Sequence, residues 1–596
     1  MGQASYPLAR GRQIWVAAVL LCLVFVLSLG GAKLSARFGR HWRLARAGTV
    51  NDSAPTPKNP DLLIGYNLDY PGDWSDALPF LDLMHDARLW EGGGGEAGPL
   101  GKYAALDLDE HGWPRSLGGY AWLTAIVRTG DSPDFVGKVW VLSYKGEGSL
   151  SIQGGIDVLD RRPGRIRFRG EPGNVWISIE ADDPHKVGHY LRDITIVRED
   201  RQDLLAAGKL FNPDLLSFLA PYRSLRFMDW MLSNDEEDDH AGRWPERTKP
   251  VQVQWRQQFI DPRRPAAGLT SPGYPVEVMI ALANQLRAHP HFNLPYKFDD
   301  VYARSFATLV KGTLLPGLVA TVEYSNELWN WGFPQATYAR LEAAKLWPGE
   351  GTGWLQFMGA RASTMCRIWK EVFGAEKQRL RCLIAPQTGW TDVASASLDC
   401  PRWVAMGHEP CYKSADAIGI TGYFNGLLPK PENTPLIKQW LQQGKASALD
   451  KAFRQLEWGD VENIKDGDGA STPERANSLV TTLSLFRTFR RIADERGLGL
   501  YVYEGGTHFD HGPDPLLKQF LIDVGRDPRM TALYVKMFSG FASVNGSVFN
   551  VWGGIGRASA WANADHLMDR SHPKYRAAVE FQASQRRSRE SLSRPK

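Results

Sequence analysis

Short apolar runs alternate with amphipathic helical stretches through most of this chain, and that rhythm limits the fold more than any other feature. Eight runs have the length and β-branched or aromatic content of buried parallel strands. They are Leu62-Leu-Ile-Gly-Tyr-Asn67, Ser224-Leu-Arg-Phe-Met-Asp-Trp230, His291-Phe-Asn-Leu-Pro295, the run from Val319 to Glu327, Arg379-Leu-Arg-Cys-Leu-Ile384, Ala417-Ile-Gly-Ile-Thr-Gly-Tyr423, Leu498-Gly-Leu-Tyr-Val-Tyr-Glu504 and Gly546-Ser-Val-Phe-Asn-Val-Trp552. Helical patterns fall between them, over 276–288, 300–311, up to about Phe373, and from Asn477 to Arg496, where Gly497 stops the helix. A helix-like stretch to about Leu89 follows the first run. Eight strand–helix units are what an α/β (β/α)8 barrel requires, with its chemistry at the C-terminal tips of the strands.

The rhythm breaks between the first and second units. From about 104 to 200 the pattern has period two, as in Lys138-Val-Trp-Val-Leu-Ser-Tyr144, Ser149-Leu-Ser-Ile152, Arg165-Ile-Arg-Phe-Arg169, Val175-Trp-Ile-Ser-Ile179 and Asp193-Ile-Thr-Ile-Val197. Gly, Pro and Asp punctuate these runs, which predicts an inserted antiparallel β-sandwich. Its Trp113, Trp140 and Trp176 are either core residues or glycan contacts. The expected organisation is a signal peptide or membrane anchor over 1–33 and a linker over 34–60. The catalytic barrel takes 61–100 and 205–580, the sandwich 101–204, and a disordered basic tail 584–596.

The chain has 596 residues, 43% apolar and 23% charged, which suits a packed protein of two to four domains. A formal charge of +4 is small for this size and lies in local clusters, so a nucleic-acid surface is not expected. Ile14 to Ala32 is an uncharged run of 19 residues (32 − 14 + 1), and small residues precede a cleavage point after Ala32. Five Lys/Arg follow this run and two precede it, a bias that places the body in the cytoplasm. The cysteines argue the other way. Cys366, Cys382, Cys400 and Cys411 form an even set that fits two disulfides, or else four buried thiols. The expectation is an extracytoplasmic bacterial protein, on the periplasmic face of the inner membrane or secreted, with the membrane as a partner through its N-terminal segment.

Two acids stand out at strand ends, Glu327 and Glu504. Either alone reads equally well as an ordinary loop acid capping the next helix. As a pair at one face of a barrel they are the equipment for cleaving a glycosidic bond. The acidic stretch Asn234-Asp-Glu-Glu-Asp-Asp-His240 matches no calcium-loop spacing and reads as a solvated loop. No metal or other cofactor is expected.

Asn326-Glu327 at the end of the fourth unit, with Tyr503-Glu-Gly-Gly506 at the seventh, resembles clan A of the retaining glycoside hydrolases. The wider string from Glu323 to Phe333 resembles bacterial proteins often labelled cellulose-binding. The resemblance covers roughly 62–90 and 210–575. It implies Glu327 as acid/base and Glu504 as nucleophile in a double displacement on a β-linked polysaccharide or oligosaccharide. It also implies that Asn326 bonds the sugar 2-hydroxyl, Arg226 orients the nucleophile, Tyr423 contacts it and Trp552 stacks beneath the sugar. His508, just past Glu504, is either a substrate contact or an incidental loop histidine. The third strand departs from the clan, reading Asn293-Leu-Pro-Tyr-Lys297 where many members carry a histidine. A non-catalytic glycan-binding factor for surface polysaccharide and a transglycosylase are the alternatives.

Overall fold

The computed structural model describes residues 62–70, 72–94, 106–234, 242–255, 259–260, 269–270, 273–349, 351–467 and 469–593. The expected N-terminal segment, the linker and residues 235–240 of the acidic stretch lie outside them. Among the described residues no helix is long and apolar enough to cross a membrane.

Eight parallel strands close into a barrel. They are β1 (Leu63–Asn67), β2 (Ser224–Arg226), β3 (His289–Leu294), β4 (Ala320–Tyr324), β5 (Leu380–Ile384), β6 (Ala417–Phe424), β7 (Gly499–Thr507) and β8 (Val548–Val551). Each pairs with its neighbours in sequence, and β1 closes the ring by pairing with both β8 and β2. At the closure Gly65 has no room for a side chain, since a Cβ there would meet Asn550 Oδ1 at 1.9 Å and Ser224 Cβ at 2.7 Å. Helices such as Val276–Leu286, Asp300–Thr313, Gly353–Phe373, Leu479–Asp494 and Arg529–Ser543 cover the outside and bury their apolar faces against the strands. The helix expected after β1 shrinks to a single turn, Leu83–Asp86.

The inserted region differs from the expected sandwich. It forms one antiparallel sheet of six strands, Glu91–Gly93, Trp122–Arg128, Val139–Lys145, Gly148–Arg162, Arg165–Asp182 and Arg192–Arg198. Glycines that read as turns between short strands, among them Gly154, lie inside a long bent hairpin whose register shifts between Gly154 and Ile156. The hairpin strand 165–182 pairs with 139–143 through one half and with 123–128 through the other, so the halves stay in one sheet. The sheet also begins earlier than residue 101. Trp113 and Trp140 are buried in its core and present no face to a glycan.

Two further expectations change. Among the described residues only Cys400 and Cys411 are bonded, with Cα atoms 5.8 Å apart, while Cys366 and Cys382 are buried free thiols. The tail is helical through Ser593, because Tyr575, Ala578 and Phe581 form a buried stripe and Phe581 packs on Phe538 at 5.5 Å.

Buried polar contacts fasten the insert to the barrel rim. Arg128 of the sheet donates to the carbonyl of Asp73 at 2.9 Å and pairs with Asp76 at 2.7 Å, fixing the loop after β1. Asp82 Oδ1 accepts from the Ile196 N–H at 2.8 Å and the Met84 N–H at 3.1 Å. Burial lifts the Asp82 carboxyl to about 7. Asp82→Ala leaves two buried N–H groups without an acceptor and is expected to cost about 2–3 kcal/mol in urea unfolding. Asp82→Asn keeps the acceptor. Because the folded-state affinity for a proton exceeds the unfolded one, wild-type stability falls as pH rises from about 4 to about 7, and Asp82→Asn removes that component.

Candidate active site

The loops after β1, β2, β4, β6, β7 and β8 surround a cleft of about 680 Å³ at the C-terminal end of the barrel. Glu327, Glu504, Asn326, Tyr423, His508 and Trp552 all line it. Arg226 lies beneath the floor and is completely buried.

The two glutamates arrive differently from their sequence reading. Strand β4 stops at Tyr324, and Glu327 lies three residues beyond it in a tight turn. Ser325 and Glu327 both take left-handed backbone angles, φ 53° and 41°. Such conformations cost on the order of 1–3 kcal/mol each and need surroundings that enforce them. Here Ser325 N–H donates to the Leu294 carbonyl, Asn293 Nδ2 to the Ser325 carbonyl at 2.7 Å, and Gln335 Nε2 to the Asn326 carbonyl at 2.7 Å. The turn aims Glu327 into the cleft, where Asn330 Nδ2 donates to one oxygen at 2.8 Å and the Tyr503 hydroxyl to the other at 3.3 Å.

Glu504 does not end its strand, since β7 continues to Thr507. It sits beside a bulge, for Val502 pairs with Ile420 and Glu504 with the next residue, Thr421. Tyr503 is the extra residue, and the bulge lets both Tyr503 and Glu504 reach the barrel interior. Gly505 follows because β6 and β8 crowd this point, and a Cβ would meet Phe549 at 2.7 Å.

Arg226 organises the floor. All five of its N–H groups are used: Nη1 donates to Glu504 at 2.9 Å and Asn67 at 3.1 Å. Nη2 donates to Glu323 at 2.9 Å and Asn326 at 2.8 Å, and Nε also donates to Glu323. Tyr503 lies against its guanidinium plane, 4.8 Å from the ring centroid. Glu323, on β4, further accepts from Asn293 Nδ2 at 3.0 Å and contacts His291 Nε2 at 2.9 Å. Burial alone would raise Glu323, but Arg226 and His291 hold it below the usual carboxyl range.

The paired carboxyls are separated in proton affinity. Burial lifts Glu327 well above the ordinary range, and the charge of Glu504 lifts it further. Burial raises Glu504 too, but Arg226 opposes that rise and the Tyr423 hydroxyl supports the ionised form. One proton on the pair therefore resides on Glu327. This is the division an acid and a nucleophile need.

An aromatic wall stands beside the pair. Tyr423 meets His508 at 5.1 Å, and His508 meets Trp561 at 4.7 Å, both edge to face. Burial pushes the His508 imidazole below its usual range. Sequence reasoning missed Glu323, His291, Asn67, Tyr503, Asn330 and Trp561. The period-two position of Glu323 inside an otherwise apolar strand was the one available signal for any of them.

No family model and no curated protein matches this chain, so the cellulose-binding label finds no support there. Among solved structures, a Fusarium oxysporum 4-O-α-L-rhamnosyl-β-D-glucuronidase shares 11% identity at a TM-score of 0.33, over 62% of this chain and 64% of that one. A Paenibacillus polymyxa xyloglucanase of glycoside hydrolase family 44 shares 12% at 0.33, over 61% and 73%. A Cellulomonas fimi endo-β-1,4-mannanase shares 10% at 0.27, over 60% and 62%. The chain thus spans less than two thirds of the glucuronidase and the mannanase. Likeness at this level says nothing of what the present chain acts on, and the chemistry rests on the residues of the cleft.

Removing Arg226 leaves two buried carboxylates without their cation. Arg226→Met is expected to destabilise the fold by about 3–5 kcal/mol. In whatever fraction folds, the acid limb of any Glu504-dependent reaction should move to higher pH, because the group that favours its ionised form is gone. A simple packing role would leave that limb in place.

Proposed function

We propose that the protein is a retaining glycoside hydrolase acting on a β-linked glycan. The observation that supports this most is the unlike setting of the Glu327–Glu504 pair on a shared cleft floor, where Glu504 accepts from the Arg226 guanidinium at 2.9 Å while Glu327 accepts from the neutral donors Asn330 and Tyr503. In the proposed cycle Glu327 gives its proton to the glycosidic oxygen as that bond breaks, and Glu504 Oε attacks the anomeric carbon. The leaving sugar departs with the proton. Glu327, now ionised, takes a proton from water, whose oxygen displaces Glu504 from the glycosyl-enzyme. Asn326, fixed by Arg226, lines the cleft and would meet the sugar 2-hydroxyl, and Trp552 and Trp561, which line it too, would stack on the ring. The Cys400–Cys411 bond supports placing the enzyme outside the cytoplasm, with residues 14–32 as anchor or signal.

Glu327→Gln and Glu504→Gln are each expected to lower kcat by about a thousandfold or more while leaving the circular dichroism spectrum unchanged. A 2-fluoro-sugar inactivator should label Glu504, found by peptide mapping. Labelling elsewhere, or near-normal turnover by either variant, contradicts the reading. The pH profile of kcat/KM should be bell-shaped. Activity falls on the acid side as Glu504 gains a proton, and on the alkaline side as Glu327 loses one above the ordinary carboxyl range. A profile without an alkaline limb excludes Glu327 as the acid.

A further inference from the structure

At the β1–β8 edge of the cleft, away from the paired glutamates, stands a carboxyl that the proposed cycle does not use. Asp69 follows β1 and lines the cleft. Its side chain is fixed, with Oδ1 accepting from the Tyr66 hydroxyl at 3.1 Å and Oδ2 from the Ile555 N–H at 2.8 Å. Among the described residues no cation pairs with it. Tyr70 and Trp74 stack on each other beside it, centroids 6.0 Å apart and planes within 20°, and Trp74 is 38% exposed. Asp76, on the same wall, is paired with Arg128, so that guanidinium is already neutralised. Lys518 is the one lysine or arginine among the described residues that line the cleft.

We propose that Asp69 determines specificity, admitting neutral or amino-bearing sugars against the Tyr70–Trp74 shelf and excluding sugars that carry a carboxylate or sulfate. This rests on the glycosidase reading and deepens it to a substrate class. The discrimination is electrostatic. Asp69 is held in place by two hydrogen bonds and cannot swing away, so an acidic sugar beside its ionised form brings like charges together in a partly desolvated site and binds more weakly. Burial has already lifted Asp69 to about 7, so the exclusion operates above that pH, where an anion meets an ionised carboxyl with no counterion, while an ammonium draws out the charged form at lower pH. Hydroxyls of a neutral sugar can donate to its remaining lone pairs.

The test uses the full chain carrying Glu504→Gln, so that binding is read without turnover. Its retention is measured at physiological salt and pH 8.5, where Asp69 is ionised, on immobilised β-glucan, β-mannan and chitosan, and on alginate and hyaluronan. Retention on at least one neutral or amino-bearing glycan is expected, exceeding that on either acidic one by about tenfold. Adding Asp69→Asn, which keeps an acceptor for the Ile555 N–H, should narrow that ratio about fivefold or more. Stronger retention on an acidic glycan overturns the inference, as does a ratio unmoved by Asp69→Asn. Retention on none overturns it as well. The fluoro-sugar labelling of Glu504 then decides separately whether the glycosidase reading falls with it.

Discussion

The buried guanidinium of Arg226 is the contact on which the rest of the site is arranged. It sits on β2 with no exposure to solvent, and each of its five N–H groups meets an oxygen from β1, β4, the turn after β4 or β7. A buried cation is tolerated only when its charge and its donors are both satisfied. Glu323 and Glu504 supply the charge, Asn67 and Asn326 the remaining acceptors. Closure of the barrel is what brings these four residues within reach of one side chain, so the fold and the electrostatics of the floor are one construction.

That construction produces two unlike acids from two identical side chains. Glu504 touches Arg226 directly, whereas Glu327 is carried past the end of β4 on a strained turn and receives only neutral donors, Asn330 and Tyr503. The strain at Ser325 and Glu327 is held by Asn293 and Gln335, residues that never face the cleft chemistry themselves. The inserted sheet contributes from further away. Through Arg128 it fixes the loop after β1, which carries Trp74 and Asp76 into the cleft.

Much of this was legible in the chain. Buried parallel strands are short apolar runs, so all eight barrel strands could be located, and Glu327, Glu504 and Arg226 stood at or near their tips. The β7 bulge was not legible. An extra residue in a strand leaves the same apolar pattern, and only pairing shows that Tyr503 and Glu504 share the interior. Glu323 was hidden because a charge inside an apolar strand gains meaning only from its partner on another strand. The insert misled because a glycine within a long bent hairpin looks like a glycine between two short strands. The basic tail misled through its composition, because the helix that runs into it is anchored by the stripe of Tyr575, Ala578 and Phe581 that precedes it.

The stereochemistry of the first-formed product tests the central claim most directly. If Glu504 forms a covalent glycosyl intermediate and Glu327 then activates water, proton NMR at early times of hydrolysis shows the β-anomer first, with the α-anomer appearing only by mutarotation. Immediate appearance of the α-anomer would mean that water attacks the substrate directly, so that Glu504 as nucleophile could not stand.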